Sequence, residues 1–347
     1  MVRDLVVKGE IYSNGKMKRG TFSVRREEFV DPTSRADVEG TLLRAPINFH
    51  THLGDSFINT EPSGDIDQIV GPDGFKFRAL NEASKVVIKK YFRRSIEFMK
   101  DQGTESFFDF RESGIKGFNL TPRFSGINGY FLTRPNSSKE IENLLDRSSG
   151  FGMSSLTDYE FKWLKKLSDL AHKRKRIFAI HFSEDKREDV SKLIDLNPDY
   201  VVHCIEATDD DLDNLRRKDI PISITPRSNI FHGKRPDYSR LFRRGLSVLL
   251  GTDNAFITEP SVMEEAEFLY RYQRKINRLS PEQVLSTVID NPRKVIKKLG
   301  LNVGHQNFLL FQNEFLTPYQ IVTKPNFYER TVVTKKDNRI TFFARKH

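Results

Sequence analysis

The residue pair with the clearest chemical meaning is His50 and His52, which end an apolar segment that runs from Ala45 to Phe49. Alternate side chains of a β-strand lie on the same face, so two histidines separated by one residue can bind one metal ion together. Taken alone, the pair fits two solvated loop histidines equally well. Its meaning therefore depends on the other residues of the chain that can bind metal.

Three further residues that can bind metal follow apolar segments later in the chain, namely His181, His203 and Asp253. The chain has eight histidines, and four of them fall at such positions. A single strand histidine is more often a core residue with satisfied hydrogen bonds, but that explanation would have to be repeated four times. We therefore predict that these residues share one metal site.

The single cysteine, Cys204, narrows the chemistry of that site. It excludes an internal disulfide, a Cys-rich zinc module and the zinc nucleobase deaminases that use a P-C-x-x-C pair. His, Asp and Glu are left as ligands. Cys204 itself, beside His203 in an apolar segment, is interpreted as a packing residue rather than a nucleophile.

The elements that would position these residues alternate apolar segments with helical patterns, which is typical of βα units around a parallel sheet. The clearer candidate strands end at six places: His50, Asp109, His181, His203, Thr225 and Thr252. Weaker strands near Ile127–Leu132 and Gly150–Met153 bring the number to eight. We predict an α/β fold in which residues 41–305 form a (βα)8 TIM barrel, with its catalytic groups at the C-terminal ends of the strands.

Two of the helices carry sequence signals for their first turn. Thr157–Glu160, before Phe161, and Ser280–Gln283 match the capping box, in which two side chains bond the free backbone groups of the helix start. The second segment also has Pro281 at the first helical position. We expect a helix to begin at each of these segments.

Both ends of the chain are rich in short strand patterns separated by polar turns, in contrast to the middle. Residues 1–40 contain the turn Ser13–Gly15 between two such patterns, and residues 306–347 contain four more. We predict that residues 1–40 and 306–347 together form a small β-sandwich beside the barrel.

The composition is that of an ordinary globular protein, with 37% hydrophobic and 30% charged residues in 347. No apolar stretch reaches the roughly 18 residues of a membrane span, and the first residues resemble a strand rather than a signal peptide. The net charge is +10, but basic and acidic residues are interleaved, and the densest basic cluster, residues 172–176, ends a predicted helix. These features predict a cytoplasmic protein with a small-molecule substrate, argue against membrane or nucleic-acid partners, and leave a homo-oligomer open.

Five short motifs, in this order, resemble the amidohydrolase superfamily, in particular the branch of cytosine deaminase, guanine deaminase, S-adenosylhomocysteine-type deaminases and triazine hydrolases. The motifs are Asn48–His52, His181–Glu184, His203–Cys204, Pro226–Asn229 and Gly251–Asn254. The H-x-H pair is a weak signal by itself, whereas the ordered set over residues 45–255 is specific. The resemblance implies a metal-dependent hydrolase-type barrel, and the β-rich termini match the accessory sandwich of that family.

The resemblance also implies a role for each matching residue. His50, His52, His181 and Asp253 would hold one divalent metal ion, zinc in preference to iron, with a water completing the shell. His203 would form a hydrogen bond to that water or polarise the bond under attack.

Proton transfer would fall to two carboxylates. Glu184 would protonate the substrate, and Asp253 would take the proton of the attacking water in addition to binding the metal. The alternative for Glu184 is a surface carboxylate near a helix start. Members of the superfamily with two metals use a carboxylated lysine at the end of the fourth strand, and residues 150–155 contain no lysine, which favours one metal.

Two further residues are candidates for binding the substrate. Arg111, near the end of the second strand, could pair with a carboxylate or phosphate, although a structural ion pair explains it equally well. Asn229 lies in the motif that follows the seventh strand, where the alternative is an ordinary loop. Glu112 also falls near the barrel mouth.

Together these features predict an amidohydrolase that deaminates an aminated heterocycle, such as a purine or pyrimidine, by attack of metal-bound hydroxide. Hydrolysis of a cyclic amide or displacement of a halide would use the same site. A third alternative is a binding protein on this scaffold without turnover. The connections between strands two and four, within 111–126 and 135–149, are short for the family, so the substrate itself is the property that transfers least.

Overall fold

The computed structural model describes residues 4–336 and 339–344. Its strands, in chain order, are β1 (Val6–Ser13), β2 (Lys16–Ser23), β3 (Glu28–Val30), β4 (Val38–Arg44), β5 (Ile47–His52), β6 (Ser106–Arg111), β7 (Asn128–Thr133), β8 (Gly150–Met153), β9 (Ile177–Phe182), β10 (Tyr200–His203), β11 (Ile222–Ile224), β12 (Val248–Leu250), β13 (Asp253–Asn254), β14 (Gln306–Gln312), β15 (Thr331–Lys336) and β16 (Arg339–Ala344). Its helices are α1 (Ile66–Val70), α2 (Phe75–Glu82), α3 (Lys85–Asp101), α4 (Gly114–Phe118), α5 (Ile141–Arg147), α6 (Phe161–Lys173), α7 (Val190–Leu196), α8 (Asp209–Arg217), α9 (Pro226–Phe231), α10 (Ser239–Arg243), α11 (Val262–Gln273), α12 (Pro281–Val288), α13 (Asp290–Lys298) and α14 (Pro318–Thr323). Short 3₁₀ turns span Leu53–Asp55 and Ser138–Glu140.

The middle of the chain forms a parallel barrel. Its strands follow one another in space in the order β12, β11, β10, β9, β8, β7, β6, β5 and β13. All eight pairings are parallel. Because only Gly251 and Thr252 separate β12 from β13, these two segments are parts of one eighth strand. The predicted eight-stranded barrel is confirmed, including the two strands with the weaker sequence signals, β7 and β8.

The eighth strand closes the barrel by changing partner along its length. β12 pairs with β11, whereas β13 pairs with β5, where Asp253 lies opposite Thr51. At the change of partner, the amide of Thr252 donates to the carbonyl of His50 at 2.9 Å. A Cβ on Gly251 would lie 2.5 Å from the Cβ of His50, so only glycine fits this close approach. The register sets Asp253 beside the histidines of β5.

Aromatic rings fill the barrel interior next to the histidines. Phe49 and Phe108 stack with their ring centroids 3.9 Å apart, and Phe108 stacks in turn on Tyr130 at 4.6 Å. The ring of Phe110 then meets that of His50 at 4.6 Å. Because this interior is packed with apolar side chains, a polar site has room only at the C-terminal ends of the strands.

The two ends of the chain form a separate sheet in the order β16, β15, β14, β4, β1, β2 and β3. β1 and β4 pair in parallel, and the remaining pairs are antiparallel. The seven strands are hydrogen-bonded as one continuous sheet. Since β4 belongs to it, the passage into the barrel follows Arg44, four residues beyond the predicted boundary at residue 40.

The connections between barrel strands differ greatly in length. The segment from β5 to β6 carries α1, α2 and α3, whereas the next two connections carry α4 with five residues and α5 with seven. At Ser280 the predicted capping box is formed by both side chains. The box predicted at Thr157 is not formed, because Glu160 stands at the start of α6 and makes no capping bond through its side chain.

Among residues 4–336 and 339–344, we find no helix with the length and apolar character needed to cross a membrane.

The close contact between Gly251 and His50 predicts that a methyl group added at residue 251 will destabilise the protein. Gly251→Ala forces that group against His50, where its backbone nitrogen lies 2.8 Å from the ideal Cβ position. We expect the free energy of unfolding to fall by about 1–3 kcal/mol, as for other overpacked sites, when measured by urea denaturation. Gly304→Ala is the matched control, because its nearest neighbour is a side-chain oxygen at 3.2 Å. Equal effects of the two substitutions would contradict the prediction.

Candidate metal centre

Four side-chain atoms from three barrel strands converge at the C-terminal end of the barrel. Nε2 of His50 lies 3.2 Å from Nε2 of His181 and 3.4 Å from Oδ1 of Asp253. Nε2 of His52 lies 3.5 Å from the same oxygen. Ligands of a tetrahedral zinc ion, each about 2.1 Å from the metal, are separated by about 3.4 Å. These three distances therefore agree with the spacing of ligands around a divalent cation.

The local backbone turns these side chains into the barrel. The pairing of β5 with β6 shifts register between Asn48 and Thr51, which is a bulge of the kind that re-aims side chains beside functional sites. Asp253 and His203 have positive φ angles of 63° and 74°. Non-glycine residues adopt this left-handed conformation rarely, and it is common at functional sites.

Acceptor oxygens close to the far ring nitrogens indicate where two of the histidines carry their proton. Nδ1 of His181 lies 2.8 Å from the carbonyl oxygen of Met153, which can only accept. Nδ1 of His52 lies 2.6 Å from a carboxylate oxygen of Glu112. Both rings therefore carry their proton on Nδ1 and present a lone pair from Nε2. Because the ligand atoms of His50, His52 and His181 all lie within 4.8 Å of one another, their lone pairs converge, and the three rings fit a divalent metal ion.

A buried lysine supports the carboxylate behind His52. The ammonium group of Lys76, on α2, forms a hydrogen bond to Glu112 and lies 3.7 Å from Oδ2 of Asp55. Asp55 in turn accepts bonds from the side chain of Asn254 at 2.8 Å and from the amide of Ala255 at 3.0 Å. Burial raises the pKa of Asp55 to about 7. Through Lys76 the long β5 to β6 connection is tied to the metal centre.

A second group of side chains lies on the β10 side of the cluster. Nε2 of His203 lies 3.3 Å from Oε2 of Glu184. The side-chain amide of Asn229 donates to Nδ1 of His203 at 3.1 Å, and the hydroxyl of Tyr238 donates to the amide oxygen of Asn229 at 2.9 Å. The hydroxyl of Thr225 lies 3.2 Å from the same Nδ1.

Burial and local charge move the pKa values of these groups in opposite directions. Burial lowers the pKa of His52 to about 4 and that of His203 to about 3, so both rings are neutral at pH 7. Burial also lowers the pKa of His181 well below its usual range, and nearby His50 adds to this effect. The histidines can therefore bind metal at neutral pH without first losing a proton.

The two carboxylates of the site differ in protonation. Burial, together with the negative charges of Asp253 and Asp185, raises the pKa of Glu184 well above its usual range. For Asp253, burial acts in the raising direction, but the hydrogen bond and charge of His50 hold its pKa well below the usual value. Ser228 also donates to Oδ2 of Asp253 at 2.7 Å. The surroundings thus push the pKa values of the two carboxyl groups apart, as an acid and base pair requires.

The cluster opens into a cavity of about 510 Å³. Its walls include the site residues His52, His181, Glu184, His203 and Asp253. Residues 66–77 of the long connection form one side of it, and the loop after β8 contributes hydroxyl groups. A volume of this size accommodates a small organic molecule.

Arg111, expected near the substrate, is turned away from this cavity. It is 2% exposed, its Nε lies 3.6 Å from Oδ2 of Asp109, and its guanidinium packs over Phe92 at 4.8 Å. A Cβ on Gly54 would lie 2.0 Å from its Nη1, so the group is tightly enclosed. Of the two interpretations that the sequence left open, the structure supports the ion pair, because the side chain of Arg111 packs behind β6 and not into the mouth of the barrel.

Asn229 also differs from expectation, since it is fully buried and bonds His203 and Tyr238 instead of lining the cavity. The basic residues that do line the cavity include Arg134, which directly follows β7. Its Nε is buried without a hydrogen-bond partner among the described residues. Sequence reasoning missed Arg134, and it also missed Lys76, because nothing in their local patterns separates them from surface cations.

Comparison with known proteins agrees with this architecture. A sequence model described as the amidohydrolase family matches residues 43–304. An Archaeoglobus fulgidus protein named as an aminohydrolase is 33% identical over 246 residues, which cover 70% of this chain and 72% of that protein.

Two solved structures share the fold at low sequence identity. Guanine deaminase from C. acetobutylicum with bound guanine has a TM-score of 0.74 at 14% identity, covering 95% of this chain and 98% of that one. An adenosine deaminase from Xanthomonas campestris with bound zinc has a TM-score of 0.71 at 14% identity, covering 99% and 93%.

The enclosed position of Arg111 predicts a loss of stability rather than of substrate binding when it is replaced. Arg111→Met leaves the carboxylate of Asp109 buried without its cation, so we expect the free energy of unfolding to fall by about 2–3 kcal/mol. The KM for a substrate should not change. Urea denaturation and steady-state kinetics measure the two effects, with Arg134→Met as the control that should keep stability within about 0.5 kcal/mol. A stable Arg111→Met protein with a raised KM would return Arg111 to the binding site.

Proposed function

The chain belongs to the amidohydrolase family of hydrolases that act on carbon–nitrogen bonds other than peptide bonds, and we propose that it is a mononuclear metal-dependent deaminase of an aminated heterocycle. One observation carries the proposal above all. Imidazole nitrogens of three histidines and the carboxylate of Asp253 meet through contacts of 3.2–3.5 Å, and Glu184, whose pKa is raised by burial and by neighbouring negative charges, lies beside them. A nucleophile source and a proton donor thus lie in one cavity.

The proposed metal ligands are His50, His52, His181 and Asp253. Bound there, a divalent ion supplies nucleophilic hydroxide at neutral pH by lowering the pKa of a water to about 7. One ion is proposed because β8, the fourth barrel strand, contains no lysine between Gly150 and Met153 that could bridge a second. Zinc is proposed over iron because the adenosine deaminase with a similar fold contains zinc.

The side chains of the site would move protons in a fixed order. Asp253, ionised, takes a proton from the water that attacks the ring carbon bearing the amino group. Glu184, protonated, gives its proton to the neighbouring ring nitrogen, which yields a tetrahedral intermediate. The proton on Asp253 then passes to the amino group, and the carbon–nitrogen bond breaks with release of ammonia. The hydroxyl proton of the intermediate returns to Glu184 as the ring carbon becomes a carbonyl, which restores both carboxyl groups to their starting forms. His203, 3.3 Å from Glu184, orients that carboxyl group and the attacked bond.

The substrate proposal draws on the cavity and on the relatives. Guanine and adenosine, the substrates named for the two similar folds, are aminated purines. Arg134 follows β7 and lines the cavity. Its Nε has no hydrogen-bond partner among the described residues. We assign to Arg134 the anion contact that the sequence suggested for Arg111, so that a carboxylate or phosphate substituent on the heterocycle would improve binding.

A screen for ammonia release tests the proposed function. The zinc-loaded protein is offered aminopurines and aminopyrimidines, each with and without a carboxylate or phosphate substituent, together with cyclic amides and halogenated heterocycles. We expect ammonia from an aminated heterocycle, a lower KM for its acidic form, and loss of that preference in Arg134→Met. Metal analysis should give about one ion per chain.

Turnover of cyclic amides or halogenated heterocycles alone would exclude deamination. A protein that shows neither bound metal nor turnover would exclude the proposed metal site.

Replacement of the proton donor gives a sharper test. Glu184→Gln keeps the shape and the contact with His203 but has no proton to give, so we expect unchanged metal content and a kcat lowered by about 10²–10⁴-fold. Because the acid must be protonated to act, the wild-type kcat/KM should fall as the pH rises through the raised pKa of Glu184. That alkaline decline should be missing from the residual activity of Glu184→Gln. An unchanged rate would remove Glu184 from the mechanism.

A further inference from the structure

The site contains more potential metal ligands than one tetrahedral ion needs. His50, His52 and His181 form one set whose ligand atoms lie within 4.8 Å of one another, and His50, His203 and Asp253 form a second. The two sets share His50, and all five residues are buried. By position alone, His203 could join the metal, and it would then occupy space that the water and the substrate need. A property of the His203 ring other than its position must therefore prevent it from binding the metal.

The group that contacts Nδ1 separates the histidines into two kinds. His52 and His181 meet an acceptor there, so Nδ1 holds the proton and Nε2 is free to bind metal. His203 meets instead the amide nitrogen of Asn229, which can only donate. Its Nδ1 must then be the lone-pair nitrogen, and the proton lies on Nε2, towards Glu184. A ring protonated on Nε2 cannot bind a metal through that atom.

The orientation of the Asn229 amide is itself fixed by Tyr238. The phenol hydroxyl donates to Oδ1 of Asn229 at 2.9 Å, and Tyr238 is 2% exposed. If the amide were turned by 180°, its nitrogen would face the phenol oxygen, and the phenol would lose the acceptor that the described part of the chain gives its proton. A buried donor without an acceptor costs about 1–3 kcal/mol. The observed orientation is thus the one in which both buried groups are satisfied.

We propose that Asn229 and Tyr238 are positioning residues that hold His203 in its Nε2-protonated form and so exclude it from the ligands of the metal. The inference rests on the metal site of the proposed function, but not on the identity of the substrate. The proposed role of Asn229 differs from substrate binding. It explains why Asn229, which lies behind His203 and does not line the cavity, is fully buried. The same two residues keep the Nε2 proton of His203 directed at Glu184.

Asn229→Asp tests this assignment, because a carboxylate of almost the same shape can only accept. The ring of His203 would then carry its proton on Nδ1, like that of His52 beside Glu112, and its Nε2 would bind the metal. We expect the cobalt(II)-loaded variant to have a d–d absorption spectrum that indicates a higher coordination number of the metal than in the wild type. Metal should also dissociate more slowly, and kcat should fall by about 100-fold, as for other residues that orient a metal site. A spectrum identical to that of the wild type would overturn the proposal.

Two further variants separate the position of the proton from packing. Tyr238→Phe removes only the hydroxyl that fixes the amide, so the cobalt spectrum should shift in the same direction by a smaller amount. Thr225→Val removes the other contact to Nδ1 and leaves the donor of Asn229 in place, so its spectrum should match that of the wild type. A shift in Thr225→Val equal to that in Asn229→Asp would mean that packing, not the amide, controls the ring. If Asn229→Asp fails to fold, an unshifted Tyr238→Phe spectrum overturns the proposal.

The cobalt spectra test the assignment of Asn229 and Tyr238 separately from the proposed deamination. If no heterocycle is deaminated but the cobalt spectra change as expected, the proposed substrate class fails and the assignment of Asn229 and Tyr238 stands. If deamination is found and the spectra do not change, only the assignment fails. Protein that binds no cobalt in the wild type would remove the basis of both.

Discussion

The pairing of β13 with β5 is the constraint on which the rest of the site depends. It joins the last barrel strand to the first and sets Asp253 opposite Thr51, between two histidines whose imidazoles turn into the barrel. Without this closure the carboxylate and the H-x-H pair, about 200 residues apart in the chain, would not share a ligand sphere. The close contact of Gly251 with His50 is the steric requirement of that register.

Burial of this many polar groups costs free energy, which their partners at the site must offset. Burial drives the histidines towards the neutral form, which is the form that binds metal, and it drives Glu184 towards the protonated form. Charged groups one layer out offset part of the cost of burial, as Lys76 does for Glu112. The same desolvation that opposes folding thus prepares the acid, the base and the ligands for one reaction.

The sequence predicted the features that depend on local patterns, and it failed for those that depend on contacts between distant parts of the chain. Apolar strand patterns identified all eight barrel strands, two of them weakly, and the ordered motifs identified the ligand candidates. Arg111 illustrates the limit, because an arginine after a strand has the same local pattern whether it faces the mouth or packs behind it. Thr157 matches a capping box, yet Glu160 is the residue that precedes α6, and its side chain makes no capping bond.

The sequence by itself determined that the chain folds as a barrel and which residues could bind a metal, since both follow from local alternation and from residue types at strand ends. Only the tertiary structure decided how each histidine is used. That choice depends on which group reaches Nδ1: the carbonyl of Met153 for His181, or the amide of Asn229 for His203. These partners come from other strands and helices, and the position of a single proton depends on contacts that no local pattern encodes.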